Sequence, residues 1–256
     1  MSSNLLNEAK EISVKYNFRL SPVLDQYLLV DSGAIERAIR YADLKPSDEV
    51  LEIGPGFGFI TRELIKKAGK VIAVEKDKRL EKILKSILPA LNLELIFQDF
   101  LEIEPSSIQF NKVVSAIPYS LSAPITFKLL EYNFEKAVLF YQKEFGEKMV
   151  AKPGDSEYGR LSVSVQYYFN AQLKEIIRKD CFYPTPKVDS CIMVLERKNI
   201  QRNPNFDNFV RELFRYPNKD VSNAIKIAFG KEIQDSRKVR ELSIEDILEL
   251  AQKVTL

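Results

Sequence analysis

The stretch Val50-Leu51-Glu52-Ile53-Gly54-Pro55-Gly56-Phe57-Gly58 restricts the fold more than any other. There a hydrophobic run stops at a glycine-rich turn, and a helical pattern, Ile60-Thr61-Arg62-Glu63-Leu64-Ile65, follows. Glycines let the backbone bend sharply at such a turn and let a ligand approach the main chain with no Cβ in the way. A second hydrophobic run, Val71-Ile72-Ala73-Val74, ends in Glu75, 21 residues after Gly54. An acid near that spacing can take both ribose hydroxyls of a bound nucleoside. The pair of features predicts a nucleoside cofactor and does not say which one. A tight turn that binds nothing would carry the same glycines.

From there strand and helix signals alternate. Strands are expected over 49–53, 70–74, 93–97, 112–116 and 137–141, with helices over 60–67, 79–88 and 125–130. Ahead of them Ile35, Ala38, Ile39 and Ala42 recur with helical spacing and stop before Lys45-Pro46. Alternation with short connections reads as a doubly wound, mainly parallel α/β sheet. Ligands of such sheets sit beyond the carboxyl ends of the strands, and Gly54, Glu75, Asp99 and Ala116-Ile117-Pro118-Tyr119 all stand at such ends. Residues 1–30 form an amphipathic lead-in broken at Pro22. Two more strands, 173–177 and 191–195, flank a proline-rich segment at 182–187. Composition then shifts at Lys198-Asn199, and short helices are expected over 206–214, 221–229 and 243–254, the last opened by a Ser243/Asp246 capping box. This predicts a domain over 1–198 and a small helical domain over 199–256.

The chain has no histidine, which excludes Ser-His and Cys-His nucleophile schemes and removes the usual metal ligand. Cys181 and Cys191 are too few for a disulfide framework or a structural zinc site, so no metal is expected. Any chemistry must then use a cofactor's own reactivity, carboxylates, backbone carbonyls or aromatic faces. The net charge of +2 neither demands nor excludes nucleic acid. No apolar run reaches the ~18 residues that span a bilayer, and the start lacks the features of a secretion signal. A cytoplasmic protein is expected.

Five ordered motifs carry a family resemblance: Gln26-Tyr27-Leu28-Leu29-x-Asp31, Glu52-Ile53-Gly54-Pro55-Gly56-x-Gly58, Ile117-Pro118-Tyr119, Tyr158-Gly159-Arg160-Leu161-Ser162, and Phe182-x-Pro184-x-Pro186-Lys187-Val188-Asp189-Ser190. Together they resemble the small-subunit ribosomal RNA adenine N6,N6-dimethyltransferases over residues 20–256. The resemblance implies a Rossmann-like methyltransferase domain that uses S-adenosyl-L-methionine, with a short helical C-terminal domain. It also implies a substrate of two adjacent adenosines near the 3′ end of the small-subunit rRNA, within a pre-ribosomal particle, and a role in ribosome biogenesis. A monomer is the default expectation.

Carried over by residue, Tyr27, Leu29 and Gly54 would contact the methionine end of the cofactor, with Gly56 in the same turn. Glu75, followed by Lys76, would take the ribose hydroxyls, and Asp99, followed by Phe100, would accept from the adenine amino group. Ala116 would lie beside the transferred methyl. Gln26 and Asp31 fit a loop folded over the cofactor, although Asp31 equally fits a helix start and Asp99 a helix cap. Ile117 and Pro118 form the catalytic turn, Tyr119 would stack on an extruded adenine, and Phe182 would close its other face. A core anchor at the proline turn is the plain alternative for Phe182.

The catalytic motif departs from the family, which reads Asn-(Leu/Ile)-Pro-(Tyr/Phe) where this chain has Ala116-Ile117-Pro118-Tyr119. An adenine N6 lone pair is delocalised into the ring, so two acceptors on its N–H groups favour the geometry needed for methyl transfer. Alanine keeps the backbone acceptor, the Ile117 carbonyl, and removes the side-chain one. Such a loss costs about 10²–10³ in rate, which implies a slow or inactive enzyme that still binds cofactor. Ser115, Ser120 and Ser122 are candidate substitutes. The family's Gly-Gln is also changed, because Asp25 replaces the glycine.

RNA phosphates would meet Lys143, Lys148, Lys152 and Arg160, and also Arg211, Arg215, Lys219, Lys226, Arg237, Lys238 and Arg240 on the C-terminal helices. Solvated helix faces are the alternative. Two readings follow: an rRNA adenine dimethyltransferase, or a catalytically weak or inactive assembly factor that binds the immature small subunit. A methyltransferase of large-subunit rRNA or of DNA fits the 182–190 and C-terminal motifs less well.

Overall fold

The hydrophobic runs assemble into a mixed sheet of seven strands. The structure, a computed structural model, describes residues 3–21 and 25–255, so the break expected at Pro22 lies outside the described residues. The chain divides into two units, Met1–Lys143 with Gln172–Glu196, and Glu144–Ala171 with Arg197–Leu256.

The first unit holds the sheet except for residues 169–171 and Arg197. Its strands are β2 (Glu49–Ile53), β3 (Lys70–Val74), β4 (Leu93–Ile96), β5 (Lys112–Ala116), β6 (Lys136–Gln142), β7 (Phe169–Ile177) and β9 (Ser190–Arg197), in the order β4-β3-β2-β5-β6-β9-β7. The strands from β4 to β6 pair in parallel, and β9 runs antiparallel to β6. Val50, Val71, Val114 and Val138 pack with Ala34, Ile35, Ala38 and Ile39 of α2 (Ser32–Ala42) and Ile60 and Leu64 of α3 (Phe59–Leu64). The alternate residues Leu51, Ile72, Val113 and Leu139 are equally buried. Both faces are therefore covered, which is why these strands read as unbroken apolar runs.

Strand order reverses between β2 and β5. Those strands are in register only at Val50↔Lys112 and Leu51↔Val113, whereas β2 and β3 pair along all five residues. They part toward their carboxyl ends, where Ser115 Oγ bridges to Ile53 O at 2.5 Å. This opening is the switch point at which open α/β sheets bind ligands.

A two-stranded ribbon that periodicity did not reveal, β1 (Leu28–Leu29) with β8 (Phe182–Tyr183), ties the N-terminal segment to the proline-rich one. The lead-in is a regular helix, α1 (Ser3–Lys15), clasped by an ion pair between Glu8 and Arg62. The helices expected over 79–88 and 125–130 are α4 (Glu81–Ile87), after a short 3-10 turn, and α5 (Ser122–Leu129).

The second unit is built on α6 (Lys143–Val150), α7 (Arg160–Tyr168), α8 (Pro204–Leu213), α9 (Val221–Phe229) and α10 (Ile244–Thr255). Ser243 and Asp246 form the expected capping box, each accepting from the other's backbone N–H at 3.1 and 2.9 Å. The structural division departs from the expected 1–198/199–256 boundary. Residues 144–171 join the C-terminal helices because Ala151, Tyr158 and Val163 are buried against Phe206, Phe209, Val210 and Ile225.

Candidate functional site

A cavity of about 610 Å³ opens where the ends of β2, β3 and β5 meet the turn after β4 and the segment at 25–29. Of the residues singled out from sequence, Gln26, Tyr27, Leu29, Gly54, Gly56, Glu75, Lys76, Asp99, Phe100, Ala116 and Pro118 line it. Ile117, Tyr119 and Phe182 are not among its lining residues.

The floor follows from the glycine turn. Gly54 and Gly56 adopt φ of +72° and +57°, and a Cβ on Gly56 would stand 2.6 Å from Leu28 Cδ2. Only glycine fits there without displacing the wall. The N–H of Gly56 donates to Glu75 Oε2 at 3.3 Å, and Asp77 N donates to Glu75 Oε1 at 2.8 Å. Burial pushes the Glu75 carboxyl up despite these donors. Each oxygen still has a lone pair for a ligand hydroxyl.

Asp99 makes the cap that was the alternative to its ligand role. Oδ1 caps a 3-10 turn at Phe100–Glu102 by accepting from Leu101 N, and Oδ2 pairs with Lys76 at 2.6 Å. Burial works against its charge, but those donors hold the carboxyl below the usual range. Lys76 is largely exposed, so a ligand amine can replace it at the carboxylate. Asp31, by contrast, is a helix cap that accepts from Ala34 N at 2.7 Å, and it does not line the cavity. Gln26 spans the rim, donating to Asp77 at 2.7 Å and accepting from Ser21 N at 2.9 Å.

No sequence pattern assigns Glu52 a role of its own. The residue lines the cavity, is 1% exposed, and its Oε2 has no hydrogen-bond partner among the described residues. Burial, helped by the charge of Glu75, pushes its carboxyl up to about 8. An acid set between Leu51 and Ile53 inside the strand was the available signal. Asp77 and Asp25 also line the cavity, and Asp25 Oδ2 accepts from Ser120 N at 2.8 Å.

The rings depart from the expected open clamp. Tyr119 stacks on Tyr27 with centroids 5.6 Å apart and 23° between planes, and its hydroxyl meets Ser190 Oγ at 2.6 Å. Burial pushes its phenol up to about 12. Phe182 is 3% exposed and presents an edge to Tyr119 at 6.4 Å. It is a core anchor of the β1–β8 ribbon and offers no free face to a base in this arrangement. Of the candidate hydroxyls, Ser115 is spent on Ile53 O, and Ser122 is buried outside the cavity lining. Ser120 lines the cavity.

The basic residues are mostly engaged. Arg211 and Arg215 pair with Glu212, Arg237 with Asp235 and Asp246, Lys238 with Asp220, Lys226 with Glu232, and Lys148 with Glu157. No helix of the described residues is long and apolar enough to cross a membrane.

The sequence profile of the ribosomal RNA adenine dimethylases matches residues 17–255. A probable ribosomal RNA small subunit methyltransferase A of Thermococcus sibiricus is 44% identical over 93% of both chains. The protein of the same description in Methanothermobacter thermautotrophicus is 38% identical over 98% of this chain and 97% of its own. Among solved structures, a dimethyladenosine transferase of Plasmodium falciparum has a TM-score of 0.78 at 28% identity, covering 88% of this chain and 96% of its own. A 23S rRNA methyltransferase has a TM-score of 0.66 at 29% identity, covering 88% and 98%.

Proposed function

The chain belongs to the ribosomal RNA adenine dimethylase family, and from that premise we propose that it uses S-adenosyl-L-methionine to dimethylate N6 of two adjacent adenosines near the 3′ end of small-subunit rRNA. The target is presented by an immature small subunit, to which the protein binds as a cytoplasmic monomer during ribosome biogenesis.

One observation carries the reading. The glycine turn, Glu75, Asp99 and Ala116 line a single cavity at the switch point of the sheet, and Tyr119 stands three residues after Ala116. The residues fit the cofactor. Glycine at 56 lets Leu28 of the wall close on the turn, the buried Glu75 suits paired hydroxyls, and Glu52 Oε2, without a partner among the described residues, suits a cationic group. About 610 Å³ lies within the range of ~300–1,000 Å³ for small-molecule sites. When bound, the cofactor would supply an electrophilic methyl group.

The chain's own residues do the rest. Glu75 holds the ribose end and Asp99 the adenine end, which fixes the donor's position. The Ile117 carbonyl accepts one hydrogen of the target amine, and Tyr119 carries the base, trading its contact with Tyr27 for a stacked purine worth ~1–3 kcal/mol. Arg and Lys side chains contact phosphates and give register; the particle's shape gives target choice.

Ala116 favours a second reading, an assembly factor whose binding is its function. Labelled methyl incorporation into undermethylated small subunits, followed by primer extension across the 3′ end of their rRNA, separates the two. Dimethyl stops at two adjacent adenosines are expected. Clear subunit binding with no incorporation would replace the enzyme by the assembly factor.

A further inference from the structure

We infer that Asp25 supplies the side-chain acceptor for the target amine that Ala116 cannot, an assignment that rests on the methyltransferase reading above. Asp25, Ala116, Pro118 and Ser120 line the same cavity. The Asp25 carboxylate is fixed to the catalytic loop by the Ser120 N–H, 2.8 Å from Oδ2, four residues beyond Ala116. That is the one hydrogen bond the carboxylate makes among the described residues. A carboxylate offers about four lone-pair sites, so acceptor capacity remains on a group held by the loop that must receive the base. Its charge also bears on the Tyr119 phenol, the ring expected to carry that base.

The competing groups are less suited. Ser115 Oγ is committed to Ile53 O, Ser122 is buried away from the cavity lining, and Ser120 is a neutral, exposed hydroxyl. Asp25 also occupies a left-handed backbone position, φ +52°. Glycine sits there without strain, and aspartate is among the few side chains that tolerate it. An ionised carboxylate is a stronger acceptor than a neutral amide, so the exchange of an asparagine for a distant aspartate need not weaken the site.

The step balances. The N6 lone pair forms the new N–C bond while the S–C bond of the sulfonium donor breaks, its electron pair staying on sulfur to give a thioether. The nitrogen then carries a proton too many, and Asp25 takes it and passes it to water. A second donor molecule repeats the transfer on the remaining N–H.

Asp25→Gly tests this without backbone strain, because glycine suits the φ. Initial rates of labelled methyl transfer to undermethylated small subunits are measured beside calorimetric affinity for S-adenosylhomocysteine. The variant is expected to lose about 10²–10³ in rate with affinity within about threefold of the parent. Asp25→Asn should fall between, since it keeps an oxygen acceptor and loses the charge. Ala116→Asn should add less than about tenfold to the parent and restore most of the rate to Asp25→Gly. An Asp25→Gly enzyme within about threefold of the parent rate overturns the assignment. So does an inactive parent made active by Ala116→Asn, which leaves the family reaction standing. Both chains inactive would overturn the methyltransferase reading itself.

Discussion

Tyr27 and Tyr119 stack face to face with ring centroids 5.6 Å apart, and Phe182 meets the same Tyr119 from the side, edge-on. Three aromatic residues from three distant segments thus share one cluster, but they differ in burial. Tyr119 is half-buried and Phe182 is in the core. Tyr119→Ala is expected to reduce methyl transfer by about 10–100-fold, in line with ~1–3 kcal/mol of lost stacking, at nearly unchanged thermal midpoint. Phe182→Ala is expected to cost about 3–5 kcal/mol of stability, as removal of a buried phenylalanine does. Denaturant unfolding paired with transfer assays checks both. A stable but inactive Phe182→Ala would return that ring to the base-binding role.

Glu75 concentrates the cofactor interaction in one buried carboxylate. Its replacement by alanine removes the acceptor for two hydroxyls and frees the N–H groups of Gly56 and Asp77. Hydrogen bonds to charged groups contribute about 1.5–3 kcal/mol each, so affinity for S-adenosylmethionine should fall at least about tenfold. Calorimetric titration reads this directly. Unchanged binding would displace the cofactor from this cavity.

Glu52 makes the site sensitive to pH. Its carboxyl is raised from the ordinary 4.5 to about 8, so at neutral pH it is mostly protonated. A cationic ligand favours the ionised form and expels the proton. Affinity should therefore rise with pH and level off above about 8. Titration in buffers of different ionisation enthalpy should show proton release, and Glu52→Gln should abolish it. Stability runs the other way. The native state holds a proton that the unfolded chain releases, so stability falls as pH climbs from 4.5 to about 8. Above that range the glutamine variant should unfold at a higher temperature than the parent.

At the amino ends of the strands, away from the cavity, Lys112 is buried with Asp48 at 3.0 Å and also donates to Ala42 O and Asp43 O. Burial alone would raise the Asp48 carboxyl, but donors from Asn111, Lys45 N and Lys112 hold it below the usual range. Lys112→Met leaves that carboxylate without its counter-charge and should destabilise the protein by about 3–5 kcal/mol. Because the folded-state value is depressed, the contribution is present above the ordinary 3.8 and is lost as pH falls through the depressed value. Urea unfolding at several pH values should show the variant's deficit shrinking in acid. Cofactor affinity of the folded variant should be unchanged.

Much of the sheet was legible in the sequence. The runs at 49–53, 70–74 and 112–116 are strands with those same limits, since unbroken apolar stretches between glycine or polar breaks leave few alternatives. The ribbon of Leu28–Leu29 with Phe182–Tyr183 was not legible, because two-residue strands have no period to detect. The place of residues 144–171 was missed for a related reason. Chain continuity assigns them to the sheet, while the burial of Tyr158 and Val163 assigns them to the helices that follow Arg197.

By itself the sequence determined the doubly wound sheet, the glycine turn, and the acids at the carboxyl ends of successive strands. These depend on neighbours along the chain, on the period of the hydrophobic pattern and on fixed spacings. The tertiary structure alone decided that Glu52 is dry enough to hold a proton, that Phe182 is buried, and that Asp25 is held by the loop beside Ala116. Burial and partnership of a side chain are set by residues tens of positions away, and no local pattern encodes which of them arrive.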